Sequence, residues 1–252
     1  MRIDVVTLFP EMFVGPLSES MLRVAQDKGL AEIRIVNLRE YTEGRHRVAD
    51  DYPFGGGGGM VLKPEPFFRA VEALRGPHTH VVLLCPQGRT LTQATAVRLA
   101  GFSHLILLCG HYEGVDERVR AHLADEEISI GDYVLTGGEL PALVVMDAVV
   151  RLVPGVLGDP AAPAQDSFAT GRLDYPHYTR PAEFRGHGVP DVLLSGDHER
   201  IARWRRREAL RGTVERRPDL LLATPPSEEE QKWLAEFGEE EGSRSPGEGH
   251  HG

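Results

Sequence analysis

Three glycine-bearing segments each follow an apolar, strand-like run. They are Cys85-Pro86-Gln87-Gly88, Cys109-Gly110-His111-Tyr112-Glu113-Gly114 and Ile130-Gly131-Asp132-Tyr133-Val134-Leu135-Thr136-Gly137-Gly138. Glycine lets a ligand approach the backbone closely, so that main-chain N–H and C=O groups read its polar edges. One such segment alone is a tight strand-to-helix turn in most proteins. Three of them after consecutive strands point to one shared ligand site, because loops at the carboxyl ends of an open parallel sheet converge. The familiar nucleotide signatures are missing. The glycine run at residues 55–59 has no Gly-Lys-Ser/Thr behind it, and Met60, Val61 and Leu62 stand where a dinucleotide fingerprint needs its third glycine. That run reads as a flexible active-site loop, with a surface linker as the alternative. His111-Tyr112-Glu113 has the spacing of the zinc deaminases, but Cys85 and Cys109 both lie upstream of it, which excludes that chemistry. No Gly-x-Ser-x-Gly nucleophile elbow is present.

The elements that must carry these segments alternate between strand and helix. Residues 2–8 and 32–38 read as strands, 66–74 as a helix, 80–85 as an apolar strand and 92–100 as a helix closed by Gly101. A strand at 104–109, a helix at 116–124, a strand at 127–130 and a helix at 139–153 follow. The last helix is apolar almost all round, which predicts burial. Continuous apolar strands between helices indicate an α/β fold with a parallel sheet covered on both faces. This domain is expected over residues 1–158. Residues 159–172 are small, Pro-rich and polar, in the manner of a linker. A helical domain is expected over 173–237, and a disordered acidic tail over 238–252.

Charge separates the parts further. The net charge of −10 conceals a local excess of cations: residues 198–217 hold eight arginines against three glutamates. A phosphate backbone meets the local charge, so an acidic whole chain does not exclude a nucleic-acid partner. Ile201 and Trp204, three residues apart, read as core positions, and Arg203, Arg205, Arg206 and Arg207 cannot share one helical face. Two cysteines give no disulfide framework and no Cys-x-x-Cys metal pair, and no run approaches the roughly 18–20 apolar residues of a membrane span. A cytoplasmic protein is expected, because Asp4 and Glu11 interrupt what would be a signal peptide.

In order along the chain stand YPFGGGGGMVLKPEP, CPQGRTLTQ, LCGHYEGVDERV, ISIGDYVLTGGELPALVVMDAVVRLVPGVLG, QDSFATG, LDYPHYTRP and LLSGDHERIARWR. Together they resemble the bacterial tRNA (guanine-N1)-methyltransferase family TrmD, of the SPOUT superfamily, over residues 1 to about 221. The resemblance implies a trefoil knot in the C-terminal part of the sheet, a rare exception to unknotted topology. It also implies a homodimer, S-adenosylmethionine as cofactor, and the tRNA anticodon stem-loop as partner. The methylated base would be the guanosine immediately 3′ of the anticodon, tRNA position 37. Cofactor contacts carry over to Leu84, Pro86, Gly110, Glu113, Ile130, Gly131, Asp132, Tyr133, Val134, Leu135, Gly137, Gly138 and Pro141. Glu113 is also tied to magnesium dependence, with the metal site itself unassigned. RNA contacts fall on Ser167, Arg203, Arg205, Arg206 and Arg207. His111 departs from the arginine that many members carry there, and Thr136 from their serine.

The implied chemistry needs two further groups. N1 of neutral guanine carries a proton and cannot attack a methyl group until a base removes it. The resemblance gives that role to Asp166, a residue that would otherwise read as a solvated loop aspartate. As the proton leaves, negative charge spreads to O6, where Arg151 would stabilise it. Without the resemblance, Arg151 reads as a cation complementing a helix C-terminus. Two alternatives stay open: a methyltransferase of the same superfamily acting on a ribose hydroxyl, and a catalytically silent RNA-binding protein.

Overall fold

The structure, a computed structural model, describes residues 1–243. The chain divides into two compact units, Met1–Pro160 and Ala161–Gly252.

The first unit begins with β1 (Arg2–Thr7), a 3₁₀ turn at Pro10–Phe13, α1 (Val14–Leu17), α2 (Ser20–Asp27) and β2 (Glu32–Asn37). A second 3₁₀ turn at Leu38–Tyr41 leads to the short strands β3 (Asp50–Asp51) and β4 (Val61–Leu62), which pair antiparallel on either side of the glycine run. There follow α3 (Pro64–Leu74), β5 (Thr79–Thr90), α4 (Gln93–Ala100), β6 (His104–Cys109), α5 (Glu117–His122), β7 (Glu126–Ser129) and α6 (Glu139–Val150). Five strands form one sheet in the order β2-β1-β6-β5-β7, with every pair parallel.

Alternation along the strands builds two cores. Leu105 and Leu107 of β6 point with Val82 and Leu84 of β5 towards α2, α4 and α6, while Ile106 and Leu108 point with Val81 and Leu83 towards α3 and α5. Both faces are covered, as an all-apolar parallel strand requires. From β5 the chain crosses by α4 to β6, then returns past β5 by α5 to β7. Since α4 and α5 lie on opposite faces, the connections part at the carboxyl ends of these strands and leave a crevice.

Residues 85–88 differ from the expected turn. They lie inside β5, which continues to Thr90 across a shift in its pairing with β7, from Leu84 opposite Ile128 to Arg89 again opposite Ile128. Gly88 makes this possible, since a side chain there would strike the Glu127–Ile128 backbone.

The second unit holds α7 (Ala162–Gln165), a hairpin of β8 (Glu183–Phe184) and β9 (His187–Gly188), α8 (Asp191–Leu194), α9 (His198–Arg216), α10 (Asp219–Ala223) and α11 (Glu228–Ser243). Leu210 of α9 is buried against Trp233 and Phe237 of α11. Asp197 caps α9 by accepting from the Arg200 N–H. Ser227 and Glu230 form a capping box at the start of α11, each side chain accepting from the other's backbone N–H. Residues 161–172, expected as linker, group with this unit: Arg172 is buried and holds Glu230 through two hydrogen bonds, while donating also to the Gly171 and Thr224 carbonyls. The expected tail from residue 238 is a correction in part. Residues 238–243 complete α11, because Trp233 and Phe237 anchor that helix on α9; residues 244–252 lie outside the described residues.

Candidate functional site

The crevice holds a cavity of about 270 Å³. Its wall brings together segments that are far apart in sequence. Leu84 and Pro86 come from β5, Gly110 and Glu113 from the segment after β6, and Ile130, Gly131, Tyr133, Val134, Leu135, Gly137, Gly138 and Pro141 from the segment between β7 and α6. Asp132, in the same segment, is exposed and does not line the cavity.

Glycine is required where these segments touch. Gly138 donates its N–H to the Gly110 carbonyl, and Gly137 bridges His111. A Cβ on Gly138 would stand 2.7 Å from Cys109 Cα, and a side chain on Gly137 would strike both Glu139 and His111. Gly131 adopts φ of +151°, and its carbonyl accepts from the Tyr133 N–H, which turns the segment over the cavity. The Tyr133 hydroxyl donates to the Ile130 carbonyl at 3.2 Å.

A carboxylate underlies this wall. Glu139 is 1% exposed at the first position of α6, where the helix N-terminus favours an anion. The Thr7 hydroxyl donates to Glu139 Oε1 at 2.7 Å, and His111 Nδ1 stands 3.6 Å from Oε2. Sequence reasoning missed Glu139; its signal was an acidic residue at the first position of a helix whose one other charged residue, Asp147, is exposed. Burial, and then the Glu139 charge, push the Cys109 thiol well above its ordinary range. Burial likewise raises the Cys85 thiol, helped by the bond it donates to Glu127. Both thiols remain protonated at neutral pH, so the site contains no thiolate nucleophile.

The glycine run meets this site at its end. Gly59 packs against the Glu113 side chain, and the Glu113 N–H donates to the Met60 carbonyl at 3.0 Å. The two residues expected to do the chemistry do not line the cavity. Arg151 caps the far end of α6, ten residues beyond Pro141 and roughly 15 Å along the axis. Asp166 follows α7 and lines a different cavity, within the second unit. Among the described residues no group of three or more His, Cys, Asp or Glu could hold a metal ion, and no helix is long and apolar enough to cross a membrane.

The arginines of α9 divide. Arg203 and Arg206 reach Glu229 at 3.6 and 3.3 Å, and Arg207 reaches Glu236 at 3.3 Å. Arg205 turns elsewhere and lies over the Tyr175 ring, 4.8 Å from its centroid. The Ser167 hydroxyl accepts from the Asp174 N–H.

Fold and site together define an open parallel α/β protein whose ligand pocket is walled by the glycine-bearing segments at the carboxyl edge of the sheet. The chain belongs to a family of methyltransferases, the one described as tRNA (Guanine-1)-methyltransferase TrmD, whose family model matches residues 1–223. It is 57% identical over 242 residues to a tRNA (guanine-N(1)-)-methyltransferase of Geobacillus kaustophilus, covering 95% of this chain and 99% of that protein. A protein of the same description from Dictyoglomus turgidum is 58% identical over 240 residues, covering 95% and 98%. A third, from Bacillus licheniformis, is 57% identical over 240 residues, covering 94% and 99%.

Proposed function

We propose that this protein transfers a methyl group from S-adenosylmethionine to N1 of the guanosine immediately 3′ of the anticodon, position 37, in tRNA. The observation that carries this reading is one cavity walled by the middle of β5 and by the segments that follow β6 and β7, in a chain that matches the methyltransferase family over residues 1–223.

The pocket suits the cofactor on its own chemistry. Apolar side chains of Leu84, Ile130, Leu135 and Pro141 stand beside backbone that glycine leaves open at Gly110, Gly131, Gly137 and Gly138, a combination that fits an adenine ring with polar edges. When bound, S-adenosylmethionine supplies an electrophilic methyl group on a sulfonium. The chain's own residues do the rest. Asp166 accepts the proton from guanine N1, and the Arg151 guanidinium stabilises the charge that develops on O6. With N1 freed of its proton, attack on the methyl group is a direct displacement with no covalent intermediate on the enzyme. Glu113 is the carboxylate tied to magnesium dependence, with the metal site itself unassigned.

Further parts of this reading concern architecture. The segments packed around Gly88 and Gly138 form the trefoil knot, within a catalytic domain over residues 1–158. The second unit, from Ala161 onward, is the RNA-binding part, in a cytoplasmic enzyme. Ser167, Arg203, Arg205, Arg206 and Arg207 contact the RNA. The protein works as a homodimer. Support for a second copy comes from α6, where Leu140 and Val144 are 49% and 44% exposed on the same helical face as Asp147 and Arg151. Covering that apolar face would also give Arg151, distant from its own pocket, a place in the partner's site.

Incubation of unmodified tRNA with isotopically labelled S-adenosylmethionine, followed by nucleoside analysis, tests the activity. The expected product is 1-methylguanosine at position 37. A ribose-methylated nucleoside would establish the other chemistry of the superfamily, and RNA binding without methyl transfer would establish a silent binding protein.

A further inference from the structure

Helix α9 turns two opposite faces outward. Successive residues are about 100° apart, so Arg203, Arg206, Arg207 and Leu210 share one side while Ile201, Trp204 and Arg205 share the other. The first side meets the acidic start and the apolar face of α11. The second borders a groove of about 410 Å³, whose walls include Tyr175, Tyr178, Arg180, Leu194, Ile201 and Arg205. The groove is aromatic and open. Tyr178 is 49% exposed, with its ring 6.4 Å from that of Trp204, and Leu194 is also exposed. Its cations differ from those of the opposite face: neither Arg180 nor Arg205 forms an ion pair with a carboxylate among the described residues, and Asp174 nearby is engaged by His177 at 2.8 Å.

We propose that this groove takes one unpaired nucleobase of the RNA substrate, stacked on Tyr178, with Arg180 and Arg205 on the adjoining phosphates. The inference rests on the proposed function for the identity of the substrate, and it adds a subsite in the second unit, apart from the methyl-transfer pocket. The composition of the groove selects this occupant. Any base presents a π-face to an exposed tyrosine, while its backbone supplies anions to two guanidiniums that have no carboxylate partner among the described residues. A base in a duplex is stacked on both sides and cannot enter. The groove therefore reads a single-stranded loop or end.

Fluorescence anisotropy of the full-length protein with unmodified tRNA, titrated at several salt concentrations, separates the two kinds of contact. Tyr178→Ala is expected to weaken binding about tenfold without changing the log–log salt slope, because stacking releases no counterions. Tyr178→Phe keeps the ring and should bind like the parent. Arg180→Ala with Arg205→Ala should lower the slope by about 0.7–0.9 for each phosphate contact removed. Affinity for S-adenosylmethionine, measured by calorimetry, should be unchanged in all three, and a parental denaturation midpoint read by the fluorescence of Trp233, buried in the second unit, reports that this unit stays folded. Tyr178→Ala and the double arginine variant both binding tRNA with parental affinity and slope would overturn the groove and leave the proposed activity standing. A parent protein that binds no RNA at all would overturn the activity together with the groove.

Discussion

At the scale of single residues, the candidate site depends on where side chains are absent as much as on where they are present. Gly138 lies against the backbone of β6, with no flexible group to move aside. Gly138→Ala should therefore shift the segment over the cavity or the strand beneath it, at a cost of about 1–3 kcal/mol. Calorimetry should show at least a tenfold loss of S-adenosylmethionine affinity, or a lowered melting temperature if the strain is relieved by the fold instead; parental values of both would show that the contact is not tight. Asp166 makes the opposite case. It lies off the cavity wall, so Asp166→Asn should leave cofactor affinity unchanged while abolishing methyl transfer. Single-turnover methylation at parental rate would remove it from the chemistry. The sequence presented both residues openly, yet only the glycine announced its reason, through its place behind a strand. An aspartate in a small, Pro-rich stretch has no local pattern that marks it as a base.

At the scale of elements, α11 runs six residues past the end expected for the helical domain, and its carboxylates are partners for α9 and for Arg172. Burial alone would raise the Glu230 pKa, but the Arg172 hydrogen bonds and the Ser227 N–H outweigh it and hold the carboxyl below its ordinary value. A lowered folded-state pKa stabilises the protein fully above the unfolded carboxylate value of about 4.3, and that stabilisation is lost as pH falls through the folded value. The second unit should thus weaken in acid below about pH 4.3. Arg172→Met should cost about 3 kcal/mol at neutral pH, since Glu230 loses its cation and the Gly171 and Thr224 carbonyls lose a donor. Its acid sensitivity should be smaller than the parent's. Chemical denaturation followed by Trp204 and Trp233 fluorescence at pH 7 and pH 4 measures both, and equal stability of the two proteins at pH 7 would refute the contribution. The four arginines of α9 carry a related lesson. Sequence correctly denied them a common face, but it could not tell which one turns to Tyr175 and which three reach the glutamates of α11.

At the scale of the whole molecule, the separation of Arg151 from the pocket at the other end of α6 favours sites completed by a second copy. In such a dimer Asp166 of one chain is expected to serve the cofactor bound by the other. Coexpression of an Asp166→Ala chain with a Gly131→Val chain, each with its own affinity tag, tests this. Each homodimer should be inactive. A mixed dimer contains one sound pocket and one sound aspartate across the symmetry axis, so about half the parental rate should return. Size-exclusion chromatography must show the mixed species to be dimeric. An intact but inactive mixed dimer would mean that each chain uses its own aspartate.

The amino-acid sequence by itself marked the five strands of the main sheet, because apolar or alternating runs between polar turns bury their side chains in a covered sheet, and it did not mark the short strands β3, β4, β8 and β9. It determined the glycine-bearing segments too, since each is a local pattern within a dozen residues. Tertiary structure decided everything that depends on distant residues meeting. It placed residues 85–88 inside a strand by pairing them with β7, and it set the Thr7 hydroxyl on Glu139 across 132 residues of chain. It also divided the α9 arginines between an acidic helix and an aromatic groove. Such contacts follow from the topology that brings elements together, and a sequence pattern with a period of two or 3.6 residues cannot record the partner it will meet.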